Sequence, residues 1–172
     1  MIGIGDVLCI RTGGIGGLAI RLGAAFLDRP NLINHIAIVH HIDRQGRTWV
    51  IEGKPGGVGQ RDARDYLSSP WTISNEHQPK TWMQRQTIAN NATKMLSTPY
   101  DWLAIAGDVA DAFHLPHIWD EDWHGRAPGH VVCSSLAAYL YVIAGLASPK
   151  PKDAGRTTPA DWEQFIIVNR YG

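Results

Sequence analysis

Cys133 stands in the run Gly129-His130-Val131-Val132-Cys133-Ser134-Ser135-Leu136-Ala137-Ala138-Tyr139-Leu140, a short apolar stretch that passes into an amphipathic helix with the cysteine at the turn. A helix start carries unpaired N–H groups and the positive end of the backbone dipole, so it favours a thiolate. A thiol nucleophile needs a base, and the base needs an acid to orient it. Upstream, His35 lies in Asn34-His35-Ile36-Ala37-Ile38-Val39 and Glu52 in Trp49-Val50-Ile51-Glu52-Gly53, both in strand-like surroundings. Each residue also has an ordinary reading: a small buried cysteine, a hydrogen-bonded core histidine, an exposed glutamate ending a strand. The combination, in the chain order His, acid, Cys, is what points to nucleophilic catalysis.

The elements that must position these groups read as α+β. Asp6 to Arg11 reads as a first strand, followed by the glycine-rich run Thr12 to Gly17 and a helix from about Leu18 to Leu27. Ile33 to Ile42 and Arg47 to Glu52 are β-branched runs around the turn tetrad Asp43-Arg44-Gln45-Gly46, which predicts a hairpin. If Ile42 faces Arg47 across the turn, counting back along both strands puts Glu52 opposite Ala37. His35 and Glu52 then share one face as diagonal neighbours, roughly 7–8 Å apart at the backbone. A one-residue slip in register destroys this arrangement. Further helices are expected over Thr81 to Leu96, which opens on the capping pattern Thr81-x-x-Gln84, over Asp101 to Phe113, and over Ser134 to Ala144 with Gly145 as its stop. Thr158-Pro159 marks the start of a short last one.

Composition narrows the class. The 172 residues read as one domain over 1–172, long enough to bury about two-thirds of its surface on folding. Net charge is zero and no basic stripe is present, which argues against nucleic-acid partners and for small molecules or peptides. Two cysteines cannot build a disulfide framework, so Cys9 is expected to be buried and inert. No signal-peptide pattern and no membrane span are read, so synthesis in the cytoplasm is expected, with release by lysis or carriage in a particle.

With these motifs in order, the chain resembles the circularly permuted branch of the NlpC-type, papain-like cysteine hydrolases, which includes YiiX-type bacterial proteins and the lecithin:retinol acyltransferase group. The resemblance rests on Gly5-Asp6-Val7-Leu8, Asn34 to Val39, Val50-Ile51-Glu52-Gly53 with Gly57-Val58, Pro99-Tyr100-Asp101-Trp102, Val132 to Leu136 and the closing Thr158-Pro159-Ala160-Asp161. It implies a papain-like core, with an antiparallel, barrel-like sheet packed on the helix that starts at the cysteine. Cys133 would be the nucleophile, His35 the base and Glu52 the third polar residue. The Cys133 N–H is a natural oxyanion donor, and Tyr100 is a candidate second donor, with core packing as its alternative. Ser134-Ser135 is followed by Leu136-Ala137 where many relatives carry an acidic residue.

The implied activity is cleavage of an amide bond in a bacterial cell-wall (peptidoglycan) peptide through a thioester, without a cofactor. An acyltransferase or lipid-hydrolysing enzyme with the same residues is an alternative, as is a structural or binding component of a larger assembly such as a phage tail. His114, His117 and His124, with the carboxylates between them, are a competing zinc candidate, although Pro116 rules out an uninterrupted helix and the spacing fits no zinc motif. A solvated loop or a substrate-covering flap is the favoured reading of that segment. His40 and His41 should point to opposite faces of a strand. Among the seven tryptophans, Trp102, Trp119 and Trp123 are candidates for lining a cleft, with core packing the default for Trp82 and Trp102.

Overall fold

The computed structural model describes residues 2–13, 33–68, 72–75, 78, 80–102 and 128–171. The helices expected over Leu18 to Leu27 and Asp101 to Phe113, and the histidine-bearing loop from His114 to His124, fall wholly or almost wholly outside them.

The architecture is α+β, built on one five-stranded antiparallel sheet. Its strands are β1 (Val7–Ile10), β2 (His35–Ile42), β3 (Thr48–Lys54), β4 (Gly57–Asp62) and β5 (Ile73–Ser74), in the spatial order β4-β3-β2-β1-β5. Among the described residues the helices are α1 (Arg64–Leu67), α2 (Trp82–Lys94), α3 (Cys133–Ile143) and α4 (Pro159–Tyr171), with a 3-10 turn at Ala154–Arg156. Alternation along β1 and β2 divides the core. Val7, Cys9, Ile36 and Ile38 pack with Ile88 and Ala92 of α2 and with Leu136, Ala137 and Leu140 of α3. Leu8, Ile10, Ala37 and Val39 face the other way, against Val50, Ala63 and Tyr66.

The hairpin forms as expected but with a correction in register. Ile42 faces Thr48, not Arg47, and a bulge between Val39 and His41 takes up the difference. Beyond the bulge Val39 faces Val50 and Ile38 faces Ile51, so the next step of the ladder sets Glu52 against Ala37. The assumed register is therefore recovered where the candidate residues lie. Gly46 closes the turn at φ 75° and donates its N–H to Asp43 O at 2.9 Å, a left-handed position that glycine fills without strain. His40 is buried and His41 exposed, but the bulge falls at His40 and the two rings lie 6.2 Å apart, so strict alternation to opposite faces is not kept there.

The capping pattern at Thr81 forms in full: Gln84 N–H donates to Thr81 Oγ1 at 3.2 Å, and Thr81 N–H donates to Gln84 Oε1 at 2.8 Å. Trp82, expected in the core, is 73 % exposed, and Trp102 is 58 % exposed. Ile88, Ala92 and Met95 define the buried stripe of this segment, and Trp82 lies six residues before Ile88, about two-thirds of a turn round the helix from it. The last helix is longer than the capping signal alone implied. It runs for 13 residues, and it buries Trp162 and Ile166. Trp162 donates from its indole N–H to Ser134 O at 3.0 Å and meets Tyr141 edge-on at 5.0 Å, so it braces the first turn of α3. Among the described residues no helix is long and apolar enough to cross a membrane.

Candidate active site

Three separate elements bring the candidate residues together. Cys133 is the first residue of α3, and the residue before it, Val132, has no side-chain oxygen to cap the helix. The first-turn N–H groups thus remain open to the sulfur and to any oxygen presented beside it. Ser135 Oγ instead accepts from Val132 N–H at 3.0 Å, which holds the turn before the cysteine.

His35 opens β2, where its position is fixed by its neighbour Asn34. The Asn34 side chain accepts from Thr12 N–H at 2.7 Å and from Thr12 Oγ1 at 3.0 Å, and donates to Thr12 O at 2.9 Å. These bonds tie the entry of β2 to the chain just past the end of β1. Sequence reading used Asn34 only as part of a motif and did not identify this role.

His35 Nε2 meets Glu52 Oε2 at 2.5 Å, with both side chains almost wholly buried. The diagonal placement expected from the hairpin thus becomes a direct bond. His35 and Cys133 lie close enough to shift each other's ionisation, and since Nε2 is given to Glu52, Nδ1 is the nitrogen left for the sulfur. Glu52 is 2 % exposed, which excludes its reading as a solvated strand end. Its carboxylate also accepts from the Tyr66 hydroxyl at 2.5 Å and from Arg61 Nε at 3.2 Å, and it pairs with Lys54. Tyr66, Lys54 and Arg61 had no part in the sequence reading. Lys54 and Arg61 share a face of β3 and β4, but β4 has too few apolar residues to announce itself as a strand.

The charges follow from these contacts. Burial opposes ionisation of Cys133, but the His35 charge and hydrogen bond, with backbone N–H bonds from Ile36 and Ser134, hold the thiol below its usual value. Burial alone would lower the His35 value; Cys133 and Glu52 outweigh it and raise it to about 9. Burial likewise opposes the Glu52 charge, and its bonds to His35, Lys54 and Tyr66 bring it down to about 2. Both shifts favour a thiolate beside an imidazolium. Cys9 contrasts with it: fully buried in β1, its thiol is pushed well up by desolvation.

Tyr100 arrives by a different route. Val58 N–H donates to Thr98 O at 2.8 Å and Ser97 N–H to Val58 O at 2.9 Å, so the segment after α2 is stitched to β4. Tyr100 then forms a parallel bridge with Val131, two residues before the cysteine. Burial and then the Cys133 charge push its phenol up, so it remains a hydroxyl near the sulfur. Its ring meets Trp102 edge-on at 5.1 Å, which makes Trp102 an exposed neighbour of the site instead of a core residue.

Gly53 is the close-approach point. A Cβ there would lie 3.1 Å from Cys133 N and from Val132 C, both backbone atoms with little room to yield. Gly53→Ala is expected to push β3 off the start of α3, carrying the adjacent Glu52 with it. Alkylation of Cys133 at neutral pH should slow by about tenfold or more, since small misplacements of reacting groups are costly. An unchanged rate would mean that this contact has no bearing on the thiol.

Among the described residues no cluster of three or more His, Cys, Asp or Glu side chains is set to hold a metal. His114, His117 and His124 lie outside those residues. Comparisons with protein-family models, with curated proteins and with solved structures gave no match.

Proposed function

We propose that this chain is a thiol hydrolase with the papain-like, circularly permuted NlpC arrangement, using Cys133 as nucleophile, His35 as acid and base, and Glu52 as the orienting acid. The observation that carries this reading is the buried relay from Glu52 through His35 to a cysteine at a helix start. A structural cysteine has no need of a thiolate, and a merely structural ion pair has no need of the sulfur.

The thiolate attacks the carbonyl carbon of an amide, and the oxyanion forms beside Cys133 N–H, with the Tyr100 hydroxyl as the second donor. The imidazolium gives its Nδ1 proton to the leaving nitrogen, the C–N bond breaks, and a thioester remains. His35, now neutral, takes a proton from water as it attacks the thioester, and the thiolate and imidazolium are restored. Glu52 keeps the imidazole in the orientation both transfers require.

The substrate class proposed is a short peptide of the bacterial cell wall. Incubation of the protein with defined muropeptides should release a new amine and a new carboxyl end, readable by mass spectrometry, with Cys133→Ala inert. Release of a fatty acid from acyl esters, with muropeptides untouched, would replace this reading by the acyl-hydrolase alternative. Absence of turnover on both, with Cys133 as unreactive as Cys9, would leave a binding or structural role.

A further inference from the structure

The Glu52 carboxylate is contested. Its Oε2 receives both His35 Nε2 and the Tyr66 hydroxyl, each at 2.5 Å. Its other oxygen, Oε1, is drawn by two cations, Lys54 and Arg61, the latter at 3.2 Å through Nε. Those cations also flank Tyr66: Lys54 Nζ lies 5.7 Å and Arg61 Cζ 5.8 Å from the centre of its ring. Arg61 is shared further with Asp65 at 3.3 Å.

Tyr66 is itself firmly set. It sits in the four-residue helix α1 and is 8 % exposed. Its N–H donates to Ala63 O at 3.0 Å, and its carbonyl accepts from Thr72 Oγ1 at 2.8 Å. Its ring lies 6.0 Å from that of His35 and is tilted by 55°, so it also walls the imidazole. Burial and the Glu52 charge push the phenol up, so it donates throughout the working range.

We propose that Tyr66 is a positioning residue that acts on His35 through Glu52, its hydroxyl holding the carboxylate on the imidazole against the opposing pull of Lys54 and Arg61. This rests on the thiol-hydrolase reading and adds to it a balance of forces on the orienting acid. Without the hydroxyl, the carboxylate turns toward the two cations and the imidazolium loses its partner. Without Lys54, the carboxylate bears more fully on His35. The charged and titratable groups facing this balance are Cys133 from α3, Glu52 and Lys54 from β3, Arg61 from β4, and Tyr66 and Asp65 from α1.

The test uses the full chain and needs no substrate. His35 is titrated by NMR, and the rate of Cys133 alkylation by iodoacetamide is followed against pH with the modified residue mapped. Tyr66→Phe keeps the ring and removes only the hydroxyl. It should lower the His35 midpoint from about 9 by a unit or more and slow Cys133 alkylation at neutral pH severalfold. Lys54→Gln, at a half-exposed position, should raise that midpoint, and adding it to Tyr66→Phe should restore part of the loss. In a Glu52→Gln background Tyr66→Phe should change nothing further, which separates action through the carboxylate from a general structural role.

An unmoved midpoint in Tyr66→Phe, or an equal drop in the Glu52→Gln background, overturns the proposal. If Tyr66→Phe does not fold, Lys54→Gln decides alone: a midpoint that falls or stays in place overturns it. Failure of the underlying reading shows earlier and differently, as a parent protein whose Cys133 reacts no faster than Cys9.

Discussion

Cys133→Ala and His35→Ala should each lower turnover by about four orders of magnitude or more, and the double variant should be little worse than either alone. In the proposed mechanism the residues act as one unit: without the thiol the base has nothing to activate, and without the base the thiol loses the charge that favours its ionisation. Glu52→Gln should leave a measurable remainder, because an amide still offers an oxygen to His35 Nε2 while losing the charge that favours the imidazolium. Turnover is to be measured on whichever substrate the muropeptide and acyl-ester assays identify, with circular dichroism to confirm the fold. Additive losses in the double variant, or full activity in folded His35→Ala, would contradict the three-residue unit.

The second large effect concerns stability. Lys80 and Asp6 form an ion pair at 2.8 Å with side chains 0 % and 2 % exposed. Asp6 also accepts from Gly3 N–H at 2.7 Å, and Lys80 lies over the Tyr141 ring at 5.9 Å. The Tyr141 hydroxyl donates to Gly5 O at 2.7 Å and accepts from Asn75 Nδ2 at 2.6 Å, while Asn75 Oδ1 takes the Val7 N–H at 2.8 Å. This network joins the chain entering β1 to α3, and so joins the sheet bearing His35 to the helix bearing Cys133. Gly5 permits the approach: at φ 89° it lies where a Cβ would come within 2.9 Å of the Ile88 side chain.

Lys80→Met strands the Asp6 charge in the interior and should cost about 3–5 kcal/mol. Urea or thermal unfolding reads this as a loss of several degrees or more in Tm. Removing both charges together, by Lys80→Met with Asp6→Leu, should recover much of the loss, since a well-packed apolar pair avoids the desolvation that the ion pair must offset. Wild-type stability in the Lys80→Met variant would contradict this account of the network.

The candidate site was legible wherever local chemistry and periodicity agree. A helix start after an apolar run locates Cys133, and period-two alternation sets His35 and Glu52 on one face. The turn tetrad gave the hairpin but not its bulge, because bulges answer to twist and packing more than to turn residues. Two errors in sequence, a shifted pairing at the turn and an unseen bulge, cancel at Glu52. β4 escaped notice because Gly-Val-Gly-Gln-Arg-Asp has a single apolar residue and owes its strand geometry to pairing with β3. With β4 unseen, Arg61 could not be set beside Glu52, nor Tyr66 beyond it. Trp82 shows the opposite failure: hydrophobic type alone assigned it inward, while helical phase turns it out.

The most direct measurement is the pH dependence of alkylation at Cys133 and Cys9 in the folded protein, with each modified residue mapped by mass spectrometry. The thiolate–imidazolium pair requires Cys133 to react far faster than Cys9 at neutral pH and to remain reactive well below the ordinary thiol value of 9.0. Its rate should change again as His35 gives up its proton near pH 9. A Cys133 that begins to react only above pH 9, or that is no faster than Cys9, would contradict the account.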